Sequence, residues 1–294
     1  MKRIKYKKIN AFSVGKSTGN PAACLYLNDG QQLSDSEMLS IAKEHKGFVS
    51  EVIYCTPLSD NTFGLKYYSS ECEVEFCGHG TIACIYELIK SSNKLKNLPE
   101  IYIMTNKGKL TVYNELEKLD AVFITAPTSQ ILSIPVTLEN IETHLGISGK
   151  ININHSIELI DAGLRTLIVP IDSLDNLIRI NPEEFMLKEF CITNGIDIIL
   201  VFTLETANKN NMARTRVFAP KFGYLEDPAT GSGNSAFGYY MIKHNLWDGV
   251  SISIEQNGEI KDYNIVWLKT INNKVLFGGG AIVKFDGVFY QQYE

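Results

Sequence analysis

The sequence lacks a long apolar run. Stretches such as Asp197–Phe202, DIILVF, fall far short of the roughly 20 residues that a membrane-crossing helix needs. It also lacks an excess of positive charge: 28 basic against 33 acidic side chains leave a net charge of −5. No basic stripe results, which argues against nucleic acid as a partner. The opening MKRIKYKKINAF is basic but alternates polar with apolar residues, so it reads as a strand and not as a secretory leader. With no leader expected, the cytoplasm is the default compartment, and Cys24, Cys55, Cys72, Cys77, Cys84 and Cys191 are expected to stay reduced there. At 294 residues the chain is long for one domain, which favours two. It can bury roughly 75% of its unfolded surface without a staple.

What the chain does have is a repeat. Residues 78–90 read GHGTIACIYELIK and residues 231–243 read GSGNSAFGYYMIK. Gly78, Gly80, Ala83, Tyr86, Ile89 and Lys90 fall on Gly231, Gly233, Ala236, Tyr239, Ile242 and Lys243 at a constant offset of 153 (231 − 78), close to half the length. Upstream, FGLKYYSS and ARTRVFAP are both alternating, strand-like runs followed by a loop and a glycine turn. The reading is one unit used twice: strand, loop, Gly-x-Gly, helix. A break near 126–133 separates the copies. The expected first lobe is 1–126, completed by the C-terminal strands 275–294, and the second is 127–274. Between the repeats the chain is mostly strand. Helices are expected after Ser34, which stands three before Glu37 in a capping-box pattern, after Thr137, near Asp172, and from Asn181 with Pro182 at the first helical position and Gly195 past the end. Many strands around one long helix per half predict an α/β (α+β) fold with a sheet curled about a central helix, twice.

Each glycine turn leaves unsatisfied N–H groups at a helix start, where the macrodipole adds roughly half a positive charge. One such end is a modest anion site. Two copies related by a pseudo-twofold would face each other and hold one carboxylate between them, with the side chains of His79 and Ser232 toward the ligand.

The stretches TGNPAACLYL, FVSEVIYC, EFCGHGTIA and EDPATGSGNSA resemble, in order and over most of the chain, the phenazine-biosynthesis-like (PhzF) family. The resemblance implies the two-lobed fold shared with diaminopimelate epimerase and proline racemase, with the active site between the lobes. It implies a cofactor-free isomerase or epimerase, often a homodimer, acting on a small carboxylate-bearing substrate. By motif, Glu51 matches the family's general acid/base, and Asp227, Gly78, His79 and Ser232 match its substrate-contacting residues. We therefore expect Glu51, Asp227 and His79 in catalysis, and Asn20, Gly78, Gly80, Thr230, Gly231, Ser232 and Gly233 in substrate binding, with no metal and no cofactor. Two departures stand where substrate choice is set. Gln256 and Gly258 are present but no arginine follows them, and GSGNSA continues the last motif differently. Phenazine synthesis itself does not follow.

Each residue also has a plainer reading. Glu51 alone reads as a solvated strand end, Asp227 before Pro228 as a turn residue, and His79 and Ser232 as turn or cap residues. Asn20-Pro21 is a common turn dipeptide. Cys77 at a helix start raises the two-thiol epimerase alternative. The offset places its partner at Thr230, whose hydroxyl is too weak an acid to act without an adjacent base, so Cys77 is expected to be a small buried residue packing the turn. CEVEFCGHGTIAC offers Cys72, Cys77, His79 and Cys84, but without the close C-x(2)-C pairs of structural zinc, and Cys84 lies roughly 9 Å along the helix. His45, His144, His155 and His244 have no motif and read as structural. A non-catalytic binding or interaction protein on the same scaffold is the remaining alternative.

Overall fold

The computed structural model describes residues 1–28 and 30–292. In chain order the first half runs β1 (Lys2–Ala11), β2 (Asn20–Tyr26), α1 (Asp35–Glu44), β3 (Val52–Ser59), β4 (Thr62–Tyr68), β5 (Glu73–Val74), α2 (Gly78–Lys90), α3 (Asn93–Lys96), β6 (Glu100–Thr105), β7 (Gly108–Glu115), α4 (Leu116–Leu119) and β8 (Ala121–Thr125). The second runs β9 (Gln130–Leu132), α5 (Leu138–Leu145), β10 (Glu158–Asp161), β11 (Arg165–Pro170), α6 (Leu174–Arg179), α7 (Glu184–Thr193), β12 (Ile198–Thr203), β13 (Ala213–Phe218), β14 (Glu226–Asp227), α8 (Gly231–Lys243), β15 (Ile252–Gln256), β16 (Asn264–Ile271) and β17 (Lys274–Gly279). The last strand is β18 (Ala281–Gln291). The chain divides into two units. One holds Met1–Ser13, Gly19–Thr125 and the chain from Gly278 onward; the other holds Val14–Thr18 and Ala126–Phe277.

In the first unit the strands lie in the order β18-β1-β2-β3-β4-β6-β7-β8. Only β2/β3 and β4/β6 are parallel, and two-residue β5 adds antiparallel to the end of β4. The second unit repeats the pattern as β9-β10-β11-β12-β13-β15-β16, with β11/β12 and β13/β15 parallel and two-residue β14 antiparallel to β13. The duplicated sequence thus carries a duplicated topology. Parallel neighbours need crossovers, and α1 supplies one between β2 and β3 while α6 and α7 supply one between β11 and β12.

Each repeat centres on a 13-residue helix. On α2, Gly80 to Glu87 are buried without a break, together with Ile89; on α8, Gly233 to Gly238 are buried likewise, with Tyr240 and Met241. A helix apolar all round must be enclosed, and α2 packs on β1, β2, β3, β8 and β18 while α8 packs on β10, β11, β12 and β16. α1 lies outside this core and closes a second cluster through Met38, Ile41 and Ala42 against Ala23, Leu25 and Tyr54.

Several local expectations meet their chemistry. Ser34 and Glu37 form the reciprocal capping box, with Ser34 N–H donating to Glu37 Oε2 at 2.7 Å. Thr137 caps α5. Residue 173, one past Asp172, caps α6 through its hydroxyl. The expected start of α7 is corrected: Asn181 and Pro182 lie before the helix, and Glu183 is its cap. The Glu183 carboxylate accepts from both Phe185 and Met186 N–H, two charge-assisted bonds where a neutral Asn side chain offers one acceptor oxygen. The strands β5, β9, β10 and β14 run two to four residues, too short to show a period in the sequence.

Candidate active site

In the first unit Glu51 stands immediately before β3. Its C=O accepts from Ala23 N–H at 3.2 Å, continuing the parallel β2/β3 ladder one residue outward. The chain returns through β4 and β5, and residues 75–77 lead into α2. Cys77 is the N-cap, extended at φ −129°, ψ 112°, with its sulfur accepting from Gly80 N–H at 3.3 Å. The thiol is buried and packs the turn in the role expected of it. Thr81 Oγ1 donates to Cys77 C=O and meets Tyr67 Oη at 2.7 Å, tying the helix start to β4. Gly80 is required here by space: a Cβ would stand 2.7 Å from Ile53 Cδ1 and 3.0 Å from Cys77 Sγ.

This geometry brings Glu51 and His79 together. His79 Nε2 lies 3.3 Å from Glu51 Oε2, and Cys77 Sγ lies 3.5 Å from His79 Nδ1. Burial lowers the His79 pKa to about 4, only partly offset by a hydrogen bond to the Pro21 carbonyl. The imidazole is therefore neutral at pH 7, and its approach to Glu51 is a close contact between a neutral ring and a carboxyl group, not an ion pair. Asn20 is buried as the first residue of β2, opposite Ala11. Gly19 before it holds φ +67°, and a Cβ there would fall 2.0 Å from Ser13 Oγ. That fixes the TGNP turn beside the His79 contact to Pro21.

The second unit builds the same turn with different side chains. Thr230 takes the N-cap position at φ −121°, ψ 113°, nearly the backbone of Cys77 153 residues earlier. Its hydroxyl does not cap the helix. It bonds the Asp227 carboxyl instead, and Asp227 Oδ1 also accepts from Ala229 N–H at 3.1 Å. Asp227 is buried, and desolvation raises its pKa to about 7 against those two stabilising bonds. Gly231 admits no side chain, since a Cβ would lie 2.3 Å from the Phe277 ring. Gly233 follows it, and Ser232 between them is half-buried at the second position of α8. Of the expected residues, then, Asn20, Glu51, Gly78, His79 and Gly80 gather at one helix start, and Asp227, Thr230, Gly231, Ser232 and Gly233 at the other.

The Cys72, Cys77, His79, Cys84 quartet is not assembled. Cys72 is exposed on a turn closed by Ser69, while Cys84 is buried in the helix with its thiol toward Cys24 and Cys55. Among the described residues the one group of potential ligand atoms within 4.8 Å of one another is Glu51, Cys77 and His79. It offers an oxygen, a sulfur and a nitrogen, a set that suits a borderline divalent ion.

Two opposed pH effects follow. His79 has a folded pKa below its ordinary 6.5, so the unfolded chain takes the proton first, and stability falls as pH drops from about 6.5 to about 4. Asp227 has a folded pKa above its ordinary 3.8, so the folded chain keeps a proton the unfolded chain releases, and stability falls as pH rises from about 4 to about 7. His79→Gln should therefore gain melting temperature relative to the wild type at pH 5 compared with pH 7.5. Asp227→Asn should show the reverse trend. Melting curves that stay parallel across this range for both variants would contradict the burial of these groups.

A curled run of strands wrapped, in each unit, on a buried helix whose glycine start carries the polar side chains is the diaminopimelate epimerase-like fold. The chain belongs to the family described as phenazine biosynthesis-like protein, whose sequence profile matches residues 9–287. It is 27% identical over 246 residues to an uncharacterized isomerase of Clostridium acetobutylicum, covering 81% of this chain and 79% of the relative. It is 24% identical over 291 residues to the trans-2,3-dihydro-3-hydroxyanthranilate isomerase of Pseudomonas fluorescens, covering 95% and 99%. Among solved structures, the PhzF-family phenazine biosynthesis protein of Bacillus anthracis superposes with a TM-score of 0.84 at 23% identity, covering 99% of this chain and all of that one. Among the described residues no helix is long and apolar enough to cross a membrane.

Proposed function

We propose that the chain is a cofactor-independent isomerase that shifts a hydrogen along a small carboxylic acid, with Glu51 as the single acid/base. The observation that carries this reading is the Glu51–His79 contact at the N-terminal start of a buried helix. In the first half of the reaction the Glu51 carboxylate takes a proton from an sp3 carbon of the substrate, and the C–H electron pair enters the adjacent unsaturated system. In the second half the Glu51 carboxyl returns that proton to another carbon on the same face. Atoms and charge balance without a co-reactant. The neutral His79 imidazole stands beside Glu51 and, with its single N–H given to the Pro21 carbonyl, helps hold the carboxyl in place. The backbone N–H groups of Gly78 and His79 favour a bound carboxylate by position and dipole. We place the enzyme in the cytoplasm and expect a homodimer.

The test is hydrogen exchange. Small unsaturated and hydroxylated carboxylic acids, including trans-2,3-dihydro-3-hydroxyanthranilate, are incubated with the protein in D2O and followed by proton NMR. Isomerisation with exchange or internal return at one face supports the reading. Saturable binding without any turnover would move the protein to the non-catalytic alternative. A second reading rests on one observation: Asp227, buried and poised near 7 next to the Thr230 hydroxyl, is a second group able to exchange a proton at neutral pH. Inversion at an α-carbon in D2O that is lost in Asp227→Asn would favour two-base epimerisation over the one-carboxylate shift.

A further inference from the structure

Gln256 ends β15 fully buried, and its amide uses all of its near hydrogen-bonding capacity on one loop. Nε2 donates to Asp227 C=O at 2.9 Å and to Thr230 Oγ1 at 3.2 Å. Oε1 accepts from Thr230 N–H at 2.9 Å and from Asn234 Nδ2 at 2.6 Å. One side chain therefore clamps both ends of the Asp227–Thr230 loop and the first turn of α8. The bond to Thr230 has a directional consequence. With its oxygen accepting from Gln256, the hydroxyl has its own proton to give, and the Asp227 carboxyl is the partner it bonds.

We propose that Gln256 is a positioning residue of this site: it fixes the Asp227–Thr230 loop against α8 and turns the Thr230 hydroxyl onto the Asp227 carboxyl. The claim rests on the reading above of Asp227 as a functional group, but its test does not need turnover. The charged neighbours of Asp227 are few. Glu226 on the same short strand pairs with Arg216 of β13 at 2.8 Å. β15 presents the neutral Gln256 ahead of Glu255, which is paired with Arg214, and the first turn of α8 carries no acid. A change in Asp227 titration on altering Gln256 thus reports the relay through Thr230.

The experiment follows the Asp227 carboxyl carbon by 13C NMR against pH in the ligand-free protein. Gln256→Leu and Thr230→Val are each expected to move its midpoint upward by at least half a unit. The double variant is expected to move it no further than the larger single shift, because both substitutions break one chain of bonds. Gln256→Glu, which keeps the shape, should move it upward as well, since a carboxylate draws the Thr230 proton to itself. Overturning results are an unmoved midpoint in the Gln256 variants, fully additive shifts in the double variant, or failure of both Gln256 variants to fold, which would make the residue scaffold alone. Glu51→Gln should leave the Asp227 midpoint in place. If that variant keeps full activity, the one-carboxylate reaction falls while the relay stands.

Discussion

Glu51→Gln is expected to lower turnover by about 10²–10⁴-fold, the usual worth of a positioned general acid/base. The substitution keeps the side-chain shape and leaves the amide able to meet His79 Nε2, so the β2/β3 ladder and the helix start remain as they are. What it removes is the carboxyl group that the proposed reaction uses to take and return the proton. Solvent deuterium should then no longer enter the substrate, while substrate binding changes little. That split, a loss in kcat with KM nearly kept, separates a proton carrier from a binding contact. His79→Gln should cost less, because in the proposed mechanism the imidazole supports Glu51 and does not itself take the proton. A Glu51→Gln protein that isomerises at the wild-type rate ends the mechanism.

The repeat was the most legible part of the fold. Glycine recurs at one offset because the two helix starts need the same space: Gly80 is crowded by Ile53, and its counterpart Gly233 by Ile198. The strands of six or more residues showed their period, and the capping box at Ser34 announced α1. The pairing of Glu51 with His79 was not legible, since it depends on a crossover that brings the end of one loop to the start of a helix 27 residues later. Only the motif resemblance singled out Glu51 beforehand. Gln256 left a faint signal: Ile252, Ile254 and Gln256 share one phase of β15, and an amide in an apolar phase marks a polar demand from inside. The start of α7 misled because Pro182 is a good first helical residue in general, whereas here the Glu183 carboxylate secures two amides at once.

Glu255→Ala is expected to cost about 3–5 kcal/mol of stability, the usual penalty for stranding one member of a buried ion pair. Arg214 and Glu255 are fully buried and meet at 2.9 Å between Nη1 and Oε2. Glu255 also accepts from Ala207 and Asn208 N–H and from Asn211 Nδ2, so it anchors the loop between β12 and β13. Arg214 spends its other donors on Asn257 C=O and Oδ1 and on the carbonyl of Glu259, holding the turn after Gln256. Removing the carboxylate leaves the guanidinium charged in a fully buried site and frees three donors on the neighbouring loop. Glu255→Gln should cost less, because an amide oxygen still accepts some of these bonds. Replacing both partners by apolar residues of similar volume should cost less than the Ala variant despite changing two positions, since no charge is left unpaired. Urea unfolding of the three proteins measures the order. A Glu255→Ala loss below about 1 kcal/mol would place this pair with exposed ion pairs, whose worth is of that size, and would remove the reason for a charged pair beside the Gln256 clamp.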